Sequence, residues 1–141
     1  MSNPLRSIEY EIALLVRLTT THSPQLGRMD RSEYLLLSEM EKHGPLAINI
    51  LAEKLKLNLS TASRQVAVLE TKKLIERFPD PQNGRISLIE ISPEGQSILQ
   101  KVQQARYNVY NEILHNWSEE ERLTLAENLT RLNQDFKAWR T

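Results

Sequence analysis

The chain has 141 residues, with 18 Lys and Arg against 18 Asp and Glu, and it contains no cysteine. That length suits one domain able to bury a real core. The missing thiols exclude a disulfide scaffold, a Cys-ligated zinc or iron–sulfur site and any thiol nucleophile or sensor. A hydrophobic share of 40% with 26% charged residues is that of a globular protein, not a disordered or fibrous one. Zero formal charge argues, at first, against a partner as acidic as nucleic acid.

Leu5, Ile8, Ile12, Leu15 and Val16 are spaced three and four apart, which predicts a helix ending near Thr19-Thr20-Thr21, before Pro24 and Gly27. Asp30 with Glu33 reads as a capping box that opens a second helix through Tyr34, Leu37 and Met40, stopping at Gly44-Pro45. A short helix over about 48–55 follows, then a turn at Lys56-Leu57-Asn58. The next helix starts at Asn58 or Ser60, both good caps, and runs to about Lys73.

Residues 74–78 and 86–91 read as paired strands around Pro79-Asp80-Pro81-Gln82-Asn83-Gly84, with Asn-Gly as the hairpin signal. Leu88 and Ile89 break the alternation of the second strand, which suggests cover on both faces. Ser92-Pro93-Glu94 opens a long helix with a capping Ser, Pro at the first position and an acid at the positive end of the dipole. Its apolar stripe reads Ile98, Val102, Ala105, Val109 and Ile113. Ser118 and Glu121 form a second capping box, ahead of a last helix carrying Leu125, Leu129, Leu132, Phe136 and Trp139.

Two short helices joined by a tight turn and followed by a hairpin describe a winged helix-turn-helix, whose second helix enters the DNA major groove. The expected fold is mainly α with a small β-hairpin wing. Projected at 100° per residue, the second helix turns Ala62, Val66 and Leu69 inward. Ser60, Thr61, Arg64, Ala67, Val68 and Thr71 lie opposite, with Ser63 and Gln65 on the flanks. The outward face carries no carboxylate before Glu70. Small residues permit close approach, hydroxyls reach phosphates or bases, and Arg can bind guanine with two hydrogen bonds.

Candidate DNA-contacting residues are therefore Ser60, Thr61, Ser63, Arg64 and Gln65, with Arg85 on the wing for the minor groove. Lys56, Lys72 and Arg77 are secondary candidates, since they lend mainly positive potential. From Lys54 to Arg85 there are seven basic side chains against three acidic, a net +4 that the neutral total conceals.

These elements resemble the MarR family, the multiple-antibiotic-resistance type of bacterial transcription regulators, over about 5–139. The most specific segments are Ile50-Leu51-Ala52 through Leu69-Glu70, then Leu74-Ile75-Glu76-Arg77, Asp80-Pro81, Arg85 and Ile91-Ser92-Pro93-Glu94-Gly95. The last is similar to the family's Leu-Thr-x-x-Gly helix opening, and Asp30 to Glu33 occupies the family's Thr-x-x-Gln helix start. Two positions depart from the pattern. The family's wing reads Asp-Pro-x-Asp-Arg-Arg where this chain has Asn83 and Gly84 before Arg85. The Lys-Gly after the recognition helix is here Lys72-Lys73, without glycine's left-handed cap.

The resemblance implies a single domain over 1–141, with a DNA-binding part at 30–92 and dimerisation helices at 5–22 and 93–140. It implies a homodimer on a palindromic operator, acting as a repressor and released by a small phenolic or other anionic effector. The apolar stripes of the first and last helices agree with a dimer, although a self-contained bundle can also use them. No cofactor is expected. The effector pocket is not identifiable from sequence.

Competing readings are a winged-helix protein-interaction module and a metal-responsive regulator of the same fold. His22, His43 and His115 lack metal-ligand spacing, although His43 with Glu39 or His22 with Asp30 offers two donors each. Tyr107, Tyr110 and Trp117 are core or interface material first and cavity lining second. No phosphate loop, Gly-x-Ser-x-Gly or paired-carboxylate pattern points to an enzyme. No apolar run reaches membrane-span length and no basic-then-apolar leader is visible, so the expectation is a cytoplasmic protein without a membrane partner.

Overall fold

The computed structural model describes residues 3–140; Met1, Ser2 and Thr141, at the ends of the predicted domain, lie outside the described residues. Six helices and a three-stranded antiparallel sheet follow one another as α1 (Pro4–Thr21), α2 (Arg31–His43), β1 (Leu46–Ala47), α3 (Ile48–Leu55), α4 (Leu59–Thr71), β2 (Ile75–Asp80), β3 (Asn83–Ile91), α5 (Pro93–Ile113) and α6 (Glu119–Ala138). Strand order is β1-β3-β2. The wing is thus more than the predicted hairpin. Leu46 and Ala47 pair with Ile89 and Leu88, so the central strand has neighbours on both edges. Two residues are too few for a period-2 pattern to announce a strand.

One core holds the winged part together. Leu36, Leu37 and Met40 of α2, Leu51 of α3, Val66 and Leu69 of α4, Ile75 and Ile89 of the sheet, and Leu99 of α5 are all buried in one cluster. The predicted inward stripe of α4 (Ala62, Val66, Leu69) is fully buried, which fixes the rotation of that helix about its axis. On α5 the expectation is corrected. Leu99 is buried in this core while Ile98 is exposed, because the predicted stripe faces away from it; Val102 of that stripe is buried outside the cluster, beside Gly27. Neither α1 nor α6 buries a single described residue, and their stripes stand open, with Leu5 73%, Phe136 61% and Trp139 67% exposed.

The helix ends follow the local chemistry in most places. Asn3 caps Leu5 N–H ahead of Pro4, Ser92 caps Gly95 N–H, and Ser118 with Glu121 forms the full reciprocal box. The box expected at α2 does not form. Asp30 accepts from Ser32 N–H, but the Glu33 carboxylate turns away to the Lys72 ammonium at 2.6 Å. A charged partner outcompetes a second cap hydrogen bond there. At the wing tip, too, the expectation shifts. The turn is Pro81-Gln82, with Asp80 Oδ1 accepting from Gln82 N–H, while Asn83 and Gly84 belong to β3. Asp before Pro at the second turn position favours this placement over the Asn-Gly signal two residues later.

Helix α4 ends without glycine. Lys73 takes the left-handed conformation itself (φ 63°), and Leu74 N–H closes the cap on Leu69 O at 3.0 Å. The Cβ of a non-glycine residue is strained in that region. Lys73→Gly is therefore expected to stabilise the fold by about 0.5–1 kcal/mol, roughly 2–5 °C in Tm, with part of the relief offset by unfolded-chain entropy. Thermal and urea unfolding measure it, and a lower Tm would refute the strain assignment.

Candidate nucleic-acid interface

Helix α4 is held at its start by Asn58. Its Oδ1 accepts from Thr61 N–H at 2.8 Å and from the Ser60 hydroxyl at 2.9 Å. The turn before it is closed by Lys56 in the left-handed region (φ 55°) and by Leu57 N–H on Ala52 O. With the inner stripe buried, Ser60, Ser63, Arg64, Ala67, Val68 and Thr71 stand exposed on the other side, and Thr61 is half-buried beside them. Val68 keeps 45% of its surface open in the middle of that strip. An apolar side chain there suits a thymine methyl group, as Arg64 one turn earlier suits guanine. Gln65 departs from its neighbours. It is half-buried, and its Oε1 is enclosed without a hydrogen-bond partner.

Arg85 is exposed on β3, not at the tip. Pairing runs regularly from Ile75↔Ile91 to Pro79↔Ser87 and then jumps to Asp80↔Asn83, so Gly84, Arg85 and Ile86 fall between the partners of two consecutive β2 residues. Arg85 is the centre of that bulge. Bulges bend a strand and re-aim its side chains, and this one leaves the Arg85 side chain exposed two residues beyond the pair that closes the turn. Asn83 Oδ1 accepts from Arg85 N–H and steadies the segment.

Two of the secondary candidates are held by carboxylates. Lys72 Nζ lies 2.6 Å from Glu33 of α2, and Arg77 makes a forked contact with Glu70, Nε and Nη2 each at 3.3 Å. Lys56 is exposed at the turn before the recognition helix. Glu70 is already counted in the net +4 of the stretch, so only Glu33, brought in from α2, lowers it further. Sequence spacing does not reveal the Lys72 pair, whose members are 39 residues apart.

Elsewhere, His43 Nε2 lies 3.1 Å from Glu39 Oε2, one helical turn away on α2. Among the described residues no group of three His, Asp or Glu gathers that could hold a metal ion. Among them, too, no helix is long and apolar enough to cross a membrane.

Residues 29–87 match the sequence profile of the MarR family. The chain is 41% identical to the uncharacterized HTH-type transcriptional regulator YxaD of Bacillus subtilis, over 95% of this chain and 96% of that one. The chain belongs to the MarR family. It is a helix-turn-helix transcriptional regulator and not an enzyme. Its fold matches that of Streptococcus pneumoniae FabT in complex with DNA, with a TM-score of 0.78 at 20% identity, covering 98% of this chain and 100% of that one. It also matches a mutant MarR from E. coli complexed with operator DNA, with a TM-score of 0.69 at 19% identity, over 93% and 99% of the two chains.

If Glu33 neutralises Lys72, removing the carboxylate frees one cation beside the recognition helix. Glu33→Gln is expected to strengthen binding to a non-specific duplex and to steepen the slope of log affinity against log salt by about 0.9, the value for one added phosphate contact. Fluorescence titrations over a salt series measure it, and an unchanged slope would show that Lys72 does not reach the backbone.

Proposed function

We propose that this regulator binds a palindromic operator as a homodimer and represses transcription by occupying the promoter. The observation that carries the reading is the outward face of α4, exposed, rich in small and hydroxyl side chains and free of carboxylate before Glu70, beside the bulged, exposed Arg85. Arg64 reads a base edge in the major groove. Ser60, Thr61 and Ser63 position the helix on phosphates and bases, and Gln65, from its half-buried site, contributes at the flank. Arg85 enters the minor groove, and Lys56, Lys72 and Arg77 add potential. Residues 30–92 form the DNA-binding part, with 5–22 and 93–140 as the dimerisation helices. Their open apolar faces support a partner copy, because stripes of this extent are unusual on a monomer surface. Two-fold symmetry then sets the recognition helices about one DNA turn apart, about 34–36 Å. A chain working on DNA in this way belongs in the cytoplasm.

An effector site fits the cavity of about 560 Å³ where α1, α2 and α5 meet. Thr20, Asp30, Arg31, Arg106 and Tyr110 are among the residues that line it. Arg106 lies 3.9 Å from the centre of the Tyr34 ring and donates to Leu26 O at 3.2 Å, so its guanidinium is oriented before any ligand arrives. Two guanidiniums against one carboxylate, with aromatic surface alongside, suit a phenolic or other aromatic anion. Such a ligand releases DNA only if it prefers the state that does not fit the operator.

Selection of bound DNA from a random pool at two salt concentrations tests the reading, with a palindrome expected at both and sedimentation as a dimer. Failure to enrich any site would favour a protein-interaction module. On the selected site, Arg64→Ala is expected to cost about 1–3 kcal/mol of discrimination, and the double change with Arg85→Ala to abolish specific retention in a still-folded dimer. Arg106→Met is expected to weaken release by an aromatic carboxylate such as salicylate at least about tenfold, the loss of one charge-assisted contact. An unchanged release curve would place the effector elsewhere.

A further inference from the structure

Ser92 is a buried polar residue in a core that is otherwise apolar, with 2% of its surface open. Its hydroxyl donates to Lys73 O at 2.7 Å and accepts from Gly95 N–H at 3.0 Å, while its own N–H donates to Leu74 O at 2.9 Å. Lys73 and Leu74 form the left-handed cap that ends α4, and Gly95 is in the first turn of α5. One side chain therefore joins the end of the recognition helix to the start of the long helix. Gly95 makes the approach possible, because a Cβ there would overlap the Leu74 carbonyl and crowd Ile91. Two polar ties near the end of α4, Lys72 to Glu33 and Glu70 to Arg77, are exposed to solvent and salt; the Ser92 joint is not.

We infer that Ser92 is a positioning residue for operator recognition, one that sets the angle of α4 against α5 and with it the separation of the two reading helices in the dimer. The inference rests on the homodimer reading above. The lever is long enough to matter. A helix of 13 residues is about 20 Å long, so a rotation of about 10° at its C-terminal joint moves its far end by about 3 Å. That is close to one base-pair step of about 3.4 Å. A hydrogen-bonded hydroxyl in a buried joint has few alternative geometries, whereas an alanine there leaves Lys73 O and Gly95 N–H to be satisfied by rearrangement.

The test measures affinity for the selected operator and for duplexes whose half-sites are one base pair closer or farther apart. It uses the wild type, Ser92→Ala, Ser92→Thr and Ser118→Ala, all at a temperature where each is folded. Ser118→Ala removes an equivalent helix cap at α6 whose hydrogen bonds run to Glu121 and Arg122 of its own helix, so it carries the stability loss without the joint. The wild type is expected to lose about tenfold or more in affinity for either altered spacing, and Ser92→Ala less than about threefold, with weaker binding to the best site. Ser92→Thr and Ser118→Ala keep the sharp profile. A sharp profile in Ser92→Ala overturns the inference, as does an equally broadened one in Ser118→Ala or Ser92→Thr. A wild type indifferent to spacing overturns the dimer reading itself, and the inference with it.

Discussion

Burial of one stripe of α4 governs what the rest of the molecule can do. Ala62, Val66 and Leu69 are fully enclosed, and rotating the helix by even one residue, about 100°, would expose them and bury Ser63, Ala67 and Glu70, or Thr61, Gln65 and Val68, instead. Exposing Val66 and Leu69 costs about 1.5–3 kcal/mol each, far more than surface polar contacts on the other side return. The core thus chooses the reading face. The chemistry presented to a groove is whatever remains after that choice, and here it is a strip of small, hydroxyl and cationic groups.

Rotation alone leaves the helix free to tilt or slide, and polar contacts at its two ends limit both. At the N-terminus, Asn58 gathers Thr61 N–H and the Ser60 hydroxyl, so one candidate contact residue is already oriented by the cap. At the C-terminus the left-handed Lys73, the Leu74 closure on Leu69 and the Ser92 bridge form a continuous set of hydrogen bonds into α5. Glu41 adds a more exposed α2–α5 tie, accepting from Gln96 and Gln103 at 3.0 Å each. The cavity beside Arg106 touches α1, α2 and α5 but not α4. A ligand there can act on α4 through α2, which packs against it, or through this joint.

What could be read from the sequence was whatever local chemistry decides. The bounds of α3, the Ser92-Pro93 start of α5 and the Ser118–Glu121 box depend on residues within a turn of one another, and the structure has them as expected. The misses occur where a distant group intervenes. Glu33 satisfies a capping pattern yet is taken by Lys72, and β1 exists only because β3 offers it an edge. Asn83-Gly84 is a good turn that loses to the neighbouring Asp80-Pro81. The phase of α5 was ambiguous for another reason. A helix that meets the domain core on one side and carries exposed apolar residues on another has two apolar faces, and periodicity cannot rank them. Of the candidate site, the outward strip of α4 was legible because it is the complement of a clear inward stripe. The bulge that projects Arg85 and the carboxylates that hold Lys72 and Arg77 were not, since both depend on register and tertiary pairing.

Zero net charge takes on a different meaning in this light. The excess of basic side chains between Lys54 and Arg85 is real, but two of the seven are tied to carboxylates, one of them brought in from α2. Phosphate attraction, which supplies most non-specific affinity, is therefore held down by the fold itself. A regulator built this way gains little from sitting anywhere on DNA, and the proposed dimer draws its preference from a few base contacts made at two places at once. That makes geometry the scarce resource. With Arg64 and Arg85 as the proposed readers in each copy, an error of one base-pair step between the copies loses half the contacts. The rigidity of the α4–α5 joint then matters as much to recognition as the chemistry of the side chains that touch the bases.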